Sequence, residues 1–269
     1  EAFVSTHADP SNHYPMAEMA AQGMQRLKIT AAGLNHFTWM LALRDRQTGE
    51  DLYPLFHREW KKLPDAFEPL TREIFEIFNL FPIPGDEHLD EYLPWLTNPQ
   101  RKAWEKYDLS LYNWELYARL RDEQWQQVSD CIRRQKEIEI LKDPVSEGAV
   151  ELIESLTTGS ELYWEALNIP NNGLIEGLPA NAIVEVPGTI SSRGITGEPV
   201  GKLPQGITEL LHREVSASQL CIDAVVQGDR NLAVQSLLLD PVVDDIGTAR
   251  LILADILESN RQWLPQFFD

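Results

Sequence analysis

The stretch ELYWEALNIPNNGLIEGLPANAIVEVPGTISSRGI, residues 161–195, decides the fold class. Apolar and β-branched runs at Leu162 to Ile169 and Ala182 to Val186 alternate with Asn-Gly, Leu-Pro and Arg-Gly pairs, which close tight turns. That pattern reads as a small antiparallel sheet. On both sides apolar residues recur every three or four positions, the period of a helix. Upstream, Leu52 to Leu63 and Ala66 to Phe81 read as helices, the second stopped by Pro82 and Pro84. Downstream, Ile207 to Gln227, Asn231 to Leu239 and Asp245 to Phe268 do the same, separated by Gly228-Asp229 and Asp240-Pro241. Residues 29–45, ITAAGLNHFTWMLALRD, read as one strand closed by the turn Gln47-Thr48-Gly49-Glu50. The expected fold is α+β, mainly helical with a small antiparallel sheet.

Two further helices are expected. Asn98-Pro99 supplies a cap and a first-turn proline for a long helix running to about Leu141. Its stripe of Trp104, Tyr107, Leu111, Trp114, Leu120 and Trp125 reads as core or subunit interface. Asp143-Pro144 opens another helix, which Gly159 ends. Met16 to Met24 reads as the end of a helix, so the chain begins as if in the middle of something.

Composition excludes some partners. The 23 Lys+Arg against 42 Asp+Glu give a formal charge of −19, the wrong sign for nucleic acid or an anionic membrane surface. No apolar run approaches the roughly 20 residues of a membrane span. Cys131 and Cys221 lie far apart without metal-knuckle spacing and read as reduced structural thiols of a cytoplasmic protein. None of the 15 glycines forms a Gly-x-Gly pair, so no dinucleotide fingerprint is encoded.

Two constellations carry polar groups where chemistry is possible. In Gly33-Leu34-Asn35-His36-Phe37-Thr38-Trp39 an amide and an imidazole interrupt an apolar strand. Buried polar groups need partners, so the choice is a hydrogen-bonded core pair or a ligand site, imidazole being the commonest metal ligand. In Phe81-Pro82-Ile83-Pro84-Gly85-Asp86-Glu87-His88-Leu89 a proline-bracketed loop presents Asp86 and His88; the choice there is a helix cap or a catalytic loop.

In this order, GLNHFTW, FPIPGDEHLDEYLP, NIPNNGLIEGLPANAIVEVPGTI, GITGEPVGKLP and the helices from ITELLHREV resemble the C-terminal half of glycoside hydrolase family 4, over nearly the whole chain. These are NAD- and manganese-dependent glycosidases, and the loop is more similar to their α-glycosidase and α-galacturonidase members. The resemblance implies a lactate dehydrogenase C-terminal-like domain at residues 29–269, with residues 1–28 the remnant of a link to a missing nucleotide-binding domain. It implies hydrolysis by oxidation at C3, deprotonation at C2, elimination, water addition and reduction, an exception to two-carboxylate glycosidases. His36 falls on the metal-binding histidine, Asn35 on the neighbouring substrate-binding asparagine, and Asp86 on the catalytic base. His88 shares the loop and is taken as substrate-binding. The ligand is a sugar or uronic-acid glycoside, and the helices imply a homo-oligomer.

The chain departs from that pattern in three places. The nucleotide domain is missing, so NAD is not expected to bind this chain alone. The second metal ligand, an upstream cysteine, has no counterpart; His7, Asp9 and His13 stand in that stretch. An arginine that often follows the Gly-Asp pair is replaced by Glu87. The alternative function is a non-catalytic carbohydrate-binding or oligomerisation domain.

Overall fold

The computed structural model describes residues 26–96, 98, 101–109, 113–136 and 148–268. β1 (Leu27–Leu34) and β2 (Phe37–Asp45) pair antiparallel from Leu27↔Asp45 to Leu34↔Phe37. The single strand expected over residues 29–45 is therefore a hairpin, and Asn35 and His36 are its turn. His36 takes φ 62°, a left-handed backbone that tight hairpin turns require. Gly33 has no room for a side chain, since a Cβ there would strike the Phe37 carbonyl. Both turn residues are exposed, so neither is the buried polar pair that an uninterrupted strand would make.

Four more strands complete the sheet: β3 (Phe81–Pro82), β4 (Leu162–Pro170), β6 (Ile183–Ser191) and β7 (Gly194–Gly197). The order is β3-β2-β1-β6-β4, with β7 also on β6. The sheet expected around residues 162–186 is thus larger, because β6 joins it to the N-terminal hairpin through Gly33↔Glu185. A separate parallel pair, β5 (Ile175–Glu176) and β8 (Gly201–Lys202), lies beside it.

Helices α1 (Tyr53–Trp60), α2 (Pro69–Phe78), α3 (Asp86–Leu89), α4 (Trp114–Ile132) and α5 (Ala149–Thr158) precede β4. Helices α6 (Gln205–Gln227), α7 (Arg230–Leu239) and α8 (Ile246–Ser259) follow β8. Asp229 and Asp245 cap α7 and α8 with their side chains, as a short acceptor at the N-cap should. The main core joins Trp39, Leu70, Ile74, Val184, Val186 and Ile207. A second cluster sets Phe81 edge-on against Trp60, Phe56 and Phe75 at 4.7, 5.1 and 5.5 Å, the favoured aromatic geometry.

The long helix expected from Asn98 is not continuous. Asn98 Oδ1 accepts from Arg101 N and leads only to the 3-10 turn Ala103–Tyr107, bounded by Lys102 and Asp108 at φ 49° and 56°. α4 starts again at Asn113, whose side chain accepts from Leu116 N. Of the aromatic stripe, Trp104 is buried, whereas α4 buries no residue. Leu111, Asp143-Pro144 and Met16 to Met24 lie outside the described residues. Cys131 and Cys221 are free thiols.

Asn171 organises the connection from β4 to β6. It is fully buried; its Nδ2 donates to the carbonyls of Ile175, Leu178 and Pro179, and its Oδ1 accepts from Ile175 N at 2.7 Å. One amide thus serves three buried backbone groups, Ile175 N, Ile175 O and Leu178 O, together with the part-buried Pro179 O, which also accepts from Ala182 N. Asn171→Ala removes this partner from the three buried groups, and we expect it to lower unfolding free energy by about 3 kcal/mol. Urea denaturation checks this; a loss below about 1 kcal/mol would mean that water replaces the amide.

Candidate functional site

The site is built where the loop after α2 meets the tip of the β1–β2 hairpin. β3 pairs Trp39↔Pro82 and Met40↔Phe81, and Ile83 N donates to Thr38 O at 3.0 Å. The Tyr53 hydroxyl donates to Met40 O at 3.0 Å and accepts from Phe81 N at 2.8 Å; burial pushes its pKa up to about 12. Gly85, at φ 79°, then turns the chain into α3. The segment from Asp86 is accordingly a short helix, where the two prolines had suggested a loop.

Asp86 is 7% exposed. Its Oδ2 accepts from Leu70 N at 2.9 Å and its Oδ1 from Thr71 N at 2.7 Å. It therefore caps α2, not α3. The residue at the α2 cap position, Glu68, makes no side-chain cap hydrogen bond and accepts from Asp86 N at 2.7 Å. Each helix start is satisfied by a carboxylate from the other segment, a capping box closed across the chain. A carboxylate so committed would have to release two buried N–H groups before taking a proton from a ligand. Asp86, expected as the catalytic base, holds the loop to α2 in this geometry.

His36 and His88 are brought together, with ring centroids 4.5 Å apart. Both are exposed. Glu91 Oε2 lies 3.6 Å from His88 Nδ1. Tyr92 locks the loop to the hairpin: its ring stacks on Phe37 at 4.6 Å and its hydroxyl donates to Asn35 O at 3.4 Å. Asp90, between them, is pushed up to about 6, first by burial and then by Glu91, Asp86 and Glu87. Two adjacent imidazoles suit a divalent transition metal, and nearby carboxylates supply the oxygen donors that manganese prefers. Among the described residues, however, no three His, Cys, Asp or Glu side chains converge into a complete metal-holding group. The residues present fit a metal as half of a ligand set. His7, Asp9 and His13 lie outside the described residues.

A groove of about 320 Å³ opens beside this pair, between the hairpin tip, β4, the start of β6 and α6. Asn35 Nδ2 and Asn168 Nδ2 both donate to Glu185 Oε2, at 3.2 and 3.1 Å. From α6, Glu214, Ser218 and Gln219 line the opposite wall. Glu214 Oε1 is buried and has no hydrogen-bond partner among the described residues. Burial first, and Asp240 second, push its carboxyl up to about 7 against the pull of Arg213. Sequence reading missed Glu214, Glu185 and Asn168. Glu214 alone left a signal: it follows Ile207 and Leu211 at helical spacing, an acid on an apolar face.

Solved structures that share this architecture are glycosidase chains. A Bacillus subtilis structure described as a glucosidase matches with TM-score 0.74 at 27% identity, covering 90% of this chain and 59% of that one. A 6-phospho-β-glucosidase from Thermotoga maritima, solved with manganese, NAD+ and glucose-6-phosphate, matches with TM-score 0.69 at 23% identity, covering 93% and 58%. The chain belongs to glycosyl hydrolase family 4: the model of the family 4 glycosyl hydrolase C-terminal domain matches residues 31–243. Among curated relatives, an α-glucosidase of Erwinia rhapontici is 28% identical over 93% of this chain. The chain spans 59% of that relative's length. No helix among the described residues is long and apolar enough to cross a membrane.

The Glu214 carboxyl predicts a pH dependence. Its folded pKa of about 7 lies above the ordinary 4.5, so between these values the folded chain holds a proton that the unfolded chain has released. Stability should fall as pH rises through that window and level off above it. In Glu214→Gln that fall should be shallower, read as melting temperature from pH 4.5 to 8; superimposable profiles would show that the carboxyl titrates normally.

Proposed function

We propose that this chain is the substrate- and metal-handling half of an α-glycoside hydrolase of the oxidation, elimination, addition and reduction type. The observation that carries the proposal is the meeting of His36, on the hairpin turn, with His88, on the loop after α2. In this reading residues 29–269 are the working domain and residues 1–28 lead into it from a nucleotide domain. His36 and His88 hold the metal. When bound, a divalent ion such as Mn²⁺ supplies Lewis acidity toward the oxygens at C2 and C3 of the sugar. Asn35, fixed by Glu185, presents an amide to those hydroxyls. Asp86 acts as a positioning residue, setting the height of His88 through its grip on α2. The residues of this chain do not fit NAD, because the sequence has no Gly-x-Gly turn to cradle a pyrophosphate, and no hydride step is assigned to them. A cytoplasmic setting agrees with two free thiols.

Self-association is the second part of the proposal, and α4 favours it. Trp125, Val128 and Ile132 are 66%, 48% and 77% exposed on a helix none of whose residues is fully buried among the described residues. An apolar row of this kind is what a partner helix covers.

Mn²⁺ should raise the melting temperature of the chain by about 2–4 °C at saturating concentration. His36→Ala should abolish the shift and His88→Ala should weaken it; a full shift in both variants would remove the metal assignment. For the helix face, light scattering of the chain should give more than the monomer mass, and Trp125→Glu should return it to 30.7 kDa. A native chain that is already monomeric would rule α4 out as a self-association surface.

A further inference from the structure

The groove beside the imidazole pair has a chemical character that selects among sugars. Its polar lining consists of Asn35, Asn168, Asn181, Ser218 and Gln219 with the single acid Glu214, and Leu34, Ile183, Val215 and Ile222 supply apolar patches. No Lys, Arg or His is among the described lining residues. A second carboxylate, Glu185, lies directly under Asn35 and Asn168 and accepts from both amides. Amides and a hydroxyl both donate and accept hydrogen bonds, which matches the hydroxyls of a pyranose. A volume of about 320 Å³ falls at the small end of ligand pockets.

Glu214 strengthens the case. It lies near the middle of α6, has one oxygen buried without a partner among the described residues, and faces Tyr92, Asp240 and Arg213 through their charges. A buried polar atom left unpaired in a native chain calls for an explanation, and an absent ligand's hydroxyl is one. Arg213, its neighbour in sequence, does not turn into the groove as a free cation, since its Nε donates to Leu239 O.

We propose that this groove is a sugar subsite for an uncharged hexopyranoside, with Glu214, Asn35 and Asn168 as its hydrogen-bond partners, and that uronates and phosphosugars are excluded from it. A carboxylate or phosphate brought here meets Glu214 and Glu185 with no Lys, Arg or His among the described lining residues, and Arg213 offsets Glu214 only in part; like charges at close range discriminate strongly. Enzymes that accept such groups place Arg or Lys against them. The proposal rests on the reading of the chain as a substrate-handling half and narrows it to neutral α-glycosides, where sequence resemblance had left uronic-acid glycosides open.

Saturation-transfer NMR and titration of the intrinsic fluorescence on the whole chain test it. The probes are methyl α-glucoside, methyl α-galactoside, galacturonic acid and glucose 6-phosphate, at pH 8, above the value of about 7 to which the Glu214 carboxyl is raised. The neutral glycosides should bind at least about tenfold tighter than the anionic sugars. Glu214→Leu should weaken the neutral sugars about fivefold to tenfold, while Glu214→Gln, which keeps hydrogen-bonding groups, stays within about threefold of the native chain. Circular dichroism and melting temperature confirm that each variant is folded. Anionic sugars binding as well as neutral ones would overturn the subsite and leave the substrate-half reading standing, as would Glu214→Leu binding like the native chain. Failure of every sugar to bind would overturn both.

Discussion

The two oxygens of Asp86, spent on the backbone N–H groups of Leu70 and Thr71, are the constraint on which the site depends. α2 carries Leu70 and Ile74 into the main core and Phe75 into the aromatic cluster, so it is the most firmly seated element near the hairpin. By capping that helix from outside, Asp86 transfers its rigidity to a segment that has little of its own. α3 is four residues long, too short to persist without tertiary support. With the cap in place, Leu89 and Leu93 are driven to full burial, and His88 and Tyr92 are left on the opposite side against the hairpin tip. Without it, Leu89 and Tyr92 alone would have to fix the distance between the two imidazoles.

Residue type does not say which helix an aspartate caps. Asp86 was legible as a cap or as a base, but its partner is a helix start whose own boundary residue, Glu68, has a left-handed backbone and turns its carboxylate elsewhere. That exchange is non-local and cannot be seen in a sequence window. The helices after Pro204 were legible because each has a local punctuation: Gly228 at φ 67° ends α6, and Asp229 and Asp245 start the next two. The hairpin hid for a related reason. A two-residue turn made by Asn and His is chemically closer to strand than the Asn-Gly pairs that announce turns, and the flanking apolar residues run without a break.

The groove was illegible because it is assembled from three distant pieces. Asn35 comes from the β1–β2 turn, Asn168 from β4 and Glu185 from β6, and they become neighbours only when β6 pairs with β4 on one edge and touches Gly33 of β1 on the other. The Asn171 knot controls the length and shape of the chain between β4 and β6, and so places Asn181 and Ile183 at the groove's rim. Family resemblance reached Asn35 and His36 because those lie in a contiguous motif. It could not reach Glu214, whose meaning comes from the desolvation of a side chain on a helix seen elsewhere only as amphipathic.

Net charge takes on a different meaning once positions are known. A charge of −19 spread over a solvated surface argues only about solubility and excluded polyanions. Here several acids are concentrated at one place: Asp86, Glu87, Asp90 and Glu91 follow one another around His88, and Glu185 and Glu214 lie across the hairpin tip. The rise of Asp90 to about 6, in which Glu91, Asp86 and Glu87 all take part, is a direct consequence of that crowding. A local field of this sign favours a cation near the imidazoles and disfavours an anion in the groove beside them. The same carboxylates therefore support both the metal assignment and the choice of an uncharged sugar, through one electrostatic cause.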